Sequence, residues 1–348
     1  MSKSQSKPTD GGVAVVIVNY RTPQLTMRCL ASLVAEGDLI PGLRVVVVDG
    51  GSGDDSAVEL ARAISGKTFH DWVSFLPLEV NGGYGWANNQ AMLALSREPA
   101  PPEFIHVLNP DTEVTPGAVA RLAQELRAYP RCAAAGSQLL TREGQPAASA
   151  FRFPSAGREF IGGAQSEKIR RLLGIGSIVV QADTSIECDW VTGASVMFRA
   201  EVLRQCGLFD DGFFLYFEEV ELMHRMRARG WTIRHVPESR VIHVEGASTG
   251  VGAKTAERPL PDYWYNSRRR YLALTGGRRA MLAADAAWLV GHAIANLKKL
   301  AGKSPANSSV RAQDLMRAGL LAYGGEVQPS VPAWGDPPGR VPAWMGKG

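Results

Sequence analysis

The chain opens on continuous apolar runs, each closed by a short polar cluster. "VAVVIV" (13–18) is β-branched throughout, the pattern of a strand buried on both faces. Thr22 and Pro23 predict the cap and first residue of a helix reaching about Ala35. "RVVVVD" (44–49) predicts the second strand, followed by a helix from about Asp54 to Ile64. "WVSFLPL" (72–78) is the third strand, with a helix from about Gly85, and Phe104 to Leu108 is the fourth. Thr115-Pro116 repeats the cap-and-proline device. Strands alternating with helices predict a parallel sheet with right-handed crossovers.

After about Ala147 the rhythm changes. "FRFPSAGREFIGGAQ" (151–165) reads as a mobile loop, "GASVMFR" (193–199) as a strand, and "EEVELMHRMRARG" (218–230) as a helix stopped by glycine. Two further strands are expected at 231–237 and 240–244, then helices from Pro261 to about Tyr323. Residues 325–348 carry "VPAW" twice among Pro and Gly and read as a disordered tail. The polar stretch 1–11 reads as a disordered lead-in without the apolar core of a signal peptide.

The 348 residues, 45% of them apolar, suffice for one large domain with appendages. A net charge of +4 argues against nucleic-acid binding driven by bulk charge. Cys29, Cys132, Cys188 and Cys206 lack metal spacing and read as reduced, buried thiols of a cytosolic protein.

Ligands of open α/β sheets bind beyond the carboxyl ends of the strands. Polar residues gather there: Asn19-Tyr20-Arg21, "DGGSGDDS" (49–56), "NGGYGWANN" (81–89) and Asn109-Pro110-Asp111. Any one could be an ordinary turn; four in succession would line one crevice. "GGYGWAN" is not a dinucleotide fingerprint, because it follows the third strand and Asn88 stands where a third small residue is needed. The full Gly-x-x-x-x-Gly-Lys-Ser/Thr phosphate loop is also absent from the sequence. A nucleotide's phosphates would then need another cation, and Mg²⁺ or Mn²⁺ commonly binds through one or two carboxylates plus the phosphates. Asp111 is such a carboxylate.

The ordered series "VVIVNYRT", "VVVVDGGSGDDS", "NGGYGWANN", "LNPDTEVTPGA", "DWVTGASVMFRAEVLRQCGLFDDGFFLYFEEVEL" and "RVIHV" resembles glycosyltransferase family 2 over roughly residues 12–275. It is most similar to the branch of rhamnosyltransferases and galactofuranosyltransferases of bacterial surface glycans. The resemblance implies the GT-A nucleotide-diphospho-sugar transferase fold, a mostly parallel central sheet flanked by helices, here with a C-terminal helical extension. It also implies a nucleotide diphosphate sugar donor, Mg²⁺ or Mn²⁺, and inversion at the anomeric carbon. By the same resemblance Asn19 and Arg21 lie by the nucleotide, Asp49 meets the base, and Asn81, Gly83 and Asn89 form the nucleotide-side loop. Asn109 and Asp111 take the place of the Asp-x-Asp metal motif, with Asn109 replacing its first Asp, and His243 completes the metal site. Trp190, Gly193 and Ala194 match the acceptor-side strand. Glu218-Glu219 match a Glu-Asp pair whose second member is the general base; Glu219 is one methylene longer, so the two stay rivals.

Taken singly, Asp49 could be a turn former, Trp190 a core aromatic and His243 a packed strand histidine. The expected organisation is a catalytic domain over 12–258, split near 115 into nucleotide and acceptor halves, a helical region over 259–324 and the tail. The expected activity is transfer of L-rhamnose from dTDP-L-rhamnose to a cell-surface glycan or polyprenyl-diphosphate-linked saccharide. A UDP-hexose or UDP-galactofuranose transferase is the alternative; a sugar nucleotidyltransferase or a non-catalytic carbohydrate-binding domain ranks behind. Arginines over 265–279 and the apolar stretch 280–300 suggest peripheral contact with an anionic membrane, with packing of the helix on the domain or in a homodimer as the alternative.

Overall fold

The computed structural model describes residues 12–69, 71–243, 260–300, 310–318, 327–342 and 344–345. The expected lead-in and Val244 lie outside them. The four parallel strands are β1 (Val13–Asn19), β2 (Arg44–Asp49), β3 (Val73–Pro77) and β4 (Phe104–Leu108). The intervening helices are α1 (Pro23–Ser32), α2 (Ser56–Ile64) and α3 (Tyr84–Ser96). Beyond them come β5 (Thr112–Val114), α4 (Ala118–Ala128), β6 (Cys132–Leu140), β7 (Ala150–Phe151) and α5 (Ala156–Ala164). Then follow α6 (Glu167–Leu172), β8 (Val179–Val180), β9 (Ile186–Cys188), β10 (Trp190–Val191), β11 (Ser195–Arg199) and α7 (Ala200–Cys206). The last elements are α8 (Glu218–Ala228), β12 (Thr232–His243), α9 (Asp262–Leu300) and α10 (Ala312–Met316).

The central sheet runs β3-β2-β1-β4-β11-β6-β12-β5. β11 is antiparallel to both β4 and β6, whereas β12 lies parallel to β6. Alternation along β1 explains the two layers of core: Val13, Val15 and Ile17 pack with Leu30, Leu60 and Leu122, while Ala14, Val16 and Val18 pack with Met92, Phe209 and Met223. Both faces of the sheet are thus covered, which is why the strands read as unbroken apolar runs. All four cysteines are free and buried.

Register places the site. Asn19 pairs with Asp49 across β1 and β2, so the two strand ends are level. Ser195 pairs with Leu108 across β11 and β4, and His243 pairs with Thr112 across β12 and β5. The sheet therefore brings the start of β11 and the end of β12 to the same rim as the ends of β1, β2 and β4.

Several expectations need correcting. Residues 151–165 form the end of β7 and then α5, not a loop; Ser155 caps the helix by accepting from the Arg158 N–H at 3.3 Å. Glycines hold α5 close to α9: a Cβ on Gly163 would lie 2.2 Å from the Trp288 carbonyl oxygen, and one on Gly291 2.2 Å from that of Phe160. Thr115 does not cap α4, because its hydroxyl donates to the Arg240 carbonyl at 2.9 Å. The cap comes from Glu36, whose carboxylate accepts from the N–H groups of Gly117 and Ala120 at 2.6 and 3.1 Å. The two strands expected at 231–237 and 240–244 are one, β12, with a register shift between Val236 and Arg240. α9 breaks at Gly277, where φ is 69°.

The described part of the tail is held rather than disordered. Pro332 O accepts from the Leu208 N–H at 3.0 Å, and Trp86 Nε1 donates to Arg340 O at 2.7 Å. Each "VPAW" repeat seats its tryptophan: Trp334 lies under Arg204, and Trp344 meets the edge of Phe214 and donates to Gly82 O at 3.3 Å. Composition missed this because Pro and Gly also suit an extended segment whose backbone bonds to a folded surface.

Candidate active site

The nucleotide-side residues form one connected rim. Asn19, fully buried, donates to Asp49 Oδ1 at 2.7 Å, and its own Oδ1 accepts from Thr26 at 2.9 Å. Asp49 also accepts from the hydroxyl and N–H of Ser52, at 2.6 and 3.1 Å. Arg21, in the left-handed region at φ 57°, is fixed by its N–H to Ser52 Oγ and its Nε to Ser52 O, at 3.0 and 2.8 Å. Ser52 was not singled out by the sequence, yet it joins Asp49 to Arg21. Asn81 Oδ1 accepts from the Gly83 N–H at 3.0 Å.

Asn89 belongs elsewhere. Its amide donates to Phe209 O and Asp211 Oδ1, both at 2.8 Å, and its Oδ1 accepts from the Phe209 N–H at 3.0 Å. It clasps the loop after α7 from inside the fold, and its polar groups are spent there. That loop neighbours Gly83, whose φ is 90° and where a Cβ would sit 2.1 Å from Phe214 O. Gly83→Ala is therefore expected to cost at least about 3 kcal/mol in urea unfolding. At Gly53, φ 67° with nothing within 4 Å of a Cβ, the same change should cost only about 1 kcal/mol. Equal costs would show that φ alone, not the Phe214 contact, selects glycine.

Asp111 is 5% exposed, and its Oδ1 lies 3.3 Å from His243 Nε2 without hydrogen-bond geometry and has no partner among the described residues. A buried carboxylate and a part-buried imidazole converging without a hydrogen bond between them suit a shared cation. No group of three or more His, Cys, Asp or Glu suited to a metal occurs among the described residues. The remaining ligands would have to come from phosphate oxygens and water, as is usual for Mg²⁺. The Asn109 N–H donates to Ala194 O at 2.9 Å, tying the turn before Asp111 to the start of β11.

The second group of carboxylates sits at the start of α8. Tyr216 and Phe217 precede it in left-handed conformations, φ 71° and 69°, which swing Glu218 and Glu219 inward. Burial pushes both carboxyls up, Glu218 well above the usual range and further raised by Glu219. N–H groups, including that of Gly193, favour the charged form of Glu219. A helix N-terminus also favours an ionised carboxylate, but here desolvation outweighs it because the groups are enclosed. Glu218 Oε2 and Glu219 Oε2 are both buried without hydrogen-bond partners among the described residues. Glu221 is withdrawn into a pair with Arg225 at 2.7 Å.

Tyr84 connects the halves. Its hydroxyl donates to Gly193 O at 2.9 Å, and burial followed by the charges of Glu218, Glu219 and Asp111 pushes it well above its ordinary value. All three carboxylates therefore lie within electrostatic reach of this hydroxyl. Tyr84 leaves no local signal in the sequence beyond the glycines around it. Trp190 stacks on Phe151, centroids 4.3 Å apart, and donates to Arg152 O at 3.2 Å, and it remains part-exposed.

Comparison with known proteins agrees with this geometry. Residues 14–162 match the family described as glycosyl transferase family 2, and residues 104–296, more than half the chain, match glycosyl transferase family group 2. The chain is 28% identical over 244 residues to an N-acetylglucosaminyl-diphospho-decaprenol L-rhamnosyltransferase of Mycobacterium tuberculosis, covering 68% of this chain and 77% of that one. It is 23% identical over 232 residues to the low-salt glycan biosynthesis hexosyltransferase Agl10 of Haloferax volcanii, 66% of each. In fold it resembles the mannosyltransferase PcManGT from Pyrobaculum calidifontis, solved with GDP-Man and Mn²⁺: TM-score 0.50, 16% identity, over 89% of this chain and 79% of that one. The sheet order, the rim of polar strand ends and the family matches lead to one conclusion: the chain is a GT-A-fold enzyme of glycosyltransferase family 2, similar to its rhamnosyltransferase branch.

Proposed function

We propose that the chain transfers L-rhamnose from dTDP-L-rhamnose, with inversion, to a lipid-linked saccharide. The observation that carries the reading is the set of buried, unsatisfied carboxylate oxygens, those of Asp111 and of Glu218-Glu219, all within electrostatic reach of Tyr84. The choice of sugar and acceptor is supported by the similarity to the mycobacterial rhamnosyltransferase.

In this reading Arg21, Asp49 and Asn81 line the nucleotide side, and Trp190 offers a flat face to the acceptor saccharide. Glu219 takes the proton of the acceptor hydroxyl as that oxygen attacks the anomeric carbon. The bond from that carbon to the diphosphate breaks on the opposite face, and its electron pair leaves with the nucleoside diphosphate. Asp111 and His243 would hold Mg²⁺ or Mn²⁺, which when bound neutralises the leaving diphosphate.

Thermal shift with nucleotide sugars and Mn²⁺ tests the donor. At a hundred times its Kd a ligand stabilises the fold by about 2.7 kcal/mol. dTDP-L-rhamnose is expected to raise the melting midpoint where UDP-galactofuranose and other UDP-hexoses do not. A rise with a UDP sugar alone reassigns the donor, and no rise with any of them overturns the nucleotide-sugar reading.

A further inference from the structure

The second half of α9 has two different faces. Met281, Ala284, Asp285, Trp288, Gly291 and Ala295 are buried, and this face packs on α5. The polar residues that interrupt the apolar stretch are largely absorbed: Asp285 pairs with Arg268, itself bonded to Glu159, and His292 stacks on Trp288 with centroids 4.8 Å apart. The outer face repeats at alternating three- and four-residue steps as Ala283, Ala286, Val290, Ala293 and Leu297, all exposed. Val290 is 56% and Leu297 65% exposed. Basic residues close the stripe at both ends, Arg278-Arg279 before it and Lys298-Lys299 after it.

A second apolar feature follows from the same corner. Lys298 Nζ donates to Ala164 O at 3.4 Å, at the end of α5. α6 begins three residues further on and delivers Lys168, Arg170 and Arg171, then Leu172 at 85% and Leu173 at 53% exposure. Glu167 offsets part of this charge through its pairs with both arginines.

We propose that the outer stripe of α9, with the Leu172-Leu173 corner, is the face that lies on an anionic membrane surface. The length and composition of α9 would also satisfy a span, but its inner face is the seat of α5. A second copy of the chain is the other occupant a stripe of this spacing could take. Charge decides between them. Pairing two such helices sets basic ends against basic ends in either orientation, whereas anionic headgroups meet both ends and the apolar middle enters the interface. The inference rests on the proposed function only for its purpose, bringing the enzyme to a lipid-linked acceptor.

Flotation with substrate-free vesicles tests it apart from catalysis. The full chain is expected to float with phosphatidylcholine vesicles containing phosphatidylglycerol, and not with phosphatidylcholine alone. The double change Val290→Glu and Leu297→Glu should lower the bound fraction at least about tenfold. The thermal midpoint and the turnover with a short water-soluble acceptor should stay at the parent level, which excludes misfolding as the cause. Removing charge instead, with Lys298→Ala and Lys299→Ala, should weaken binding and its salt dependence. The proposal fails if the parent stays at the bottom of the gradient with anionic vesicles, or if the glutamate variant floats equally well. It fails also if sedimentation shows a dimer that the glutamate variant dissolves, which would give the stripe to a second copy.

Discussion

Replacing Asp111 by Asn is expected to lower sugar transfer by about a thousandfold, a loss of about 4 kcal/mol of transition-state stabilisation. The side chain keeps its volume and loses its charge, so the fold should be unaffected: Asp111 is buried, but its Oδ1 supports no hydrogen bond among the described residues. Asp111 lies in the turn between β4 and β5, so its backbone is placed by those two strands. Mn²⁺ affinity, read by the relaxation of solvent water, should fall in the same variant independently of turnover. His243→Ala should weaken the ion less, since a neutral imidazole contributes no charge to the pair. Full turnover of Asp111→Asn, or of the parent enzyme in EDTA, would sink the assignment.

Glu219→Gln should lose at least about a hundredfold in turnover with donor affinity little changed, within the range general-base catalysis supplies. Two carboxyls buried side by side cannot both ionise easily. Burial raises both, and Glu219 alone is met by N–H groups of other residues, those of Gly193 and Val220, which favours charge there. Glu219 is therefore the expected base, and Glu218→Gln should be far milder. Because Glu219 is raised above the ordinary glutamate value of 4.5, turnover should climb as pH rises through that elevated value. Stability moves the opposite way. The folded chain holds protons that the unfolded chain has already released above pH 4.5, so these two groups favour folding below that value. Their contribution is lost as pH rises through the folded values, and Glu218→Gln should flatten the decline. A large loss in Glu218→Gln with Glu219→Gln active would transfer the base to its neighbour.

The first half of the chain was legible because β1, β2 and β4 are buried on both faces and each βα turn is local. β2 and β4 fall on their predicted residues, α1 and α2 end within a few positions of the sequence reading, and α3 begins within one. The second half was harder, since its structure depends on distant partners. The capping carboxylate of α4 lies 81 residues from the N–H of Gly117, and α5 exists because α9 covers it. The site was legible in kind, as strand-end carboxylates, but not in detail. Neither the clasping role of Asn89 nor the bridging roles of Ser52 and Tyr84 leaves a local pattern. The left-handed pair Tyr216-Phe217 is likewise hidden, because neither residue type favours that conformation.

The position of β4 in the sheet has a consequence in time as well as in space. All five of its residues are buried, and it is bonded on one edge to β1 and on the other to β11. Its amides can meet solvent only when the centre of the sheet comes apart, the slowest opening the chain possesses. The small sheet β10-β7-β8 is built from two-residue strands that can part without disturbing that centre. Asp111 follows directly from the slow element, while Trp190 is carried by β10 on the fast one. Asp111 is thus anchored to the part of the fold that opens last, and Trp190 to a part that can open and close many times within the lifetime of the native state.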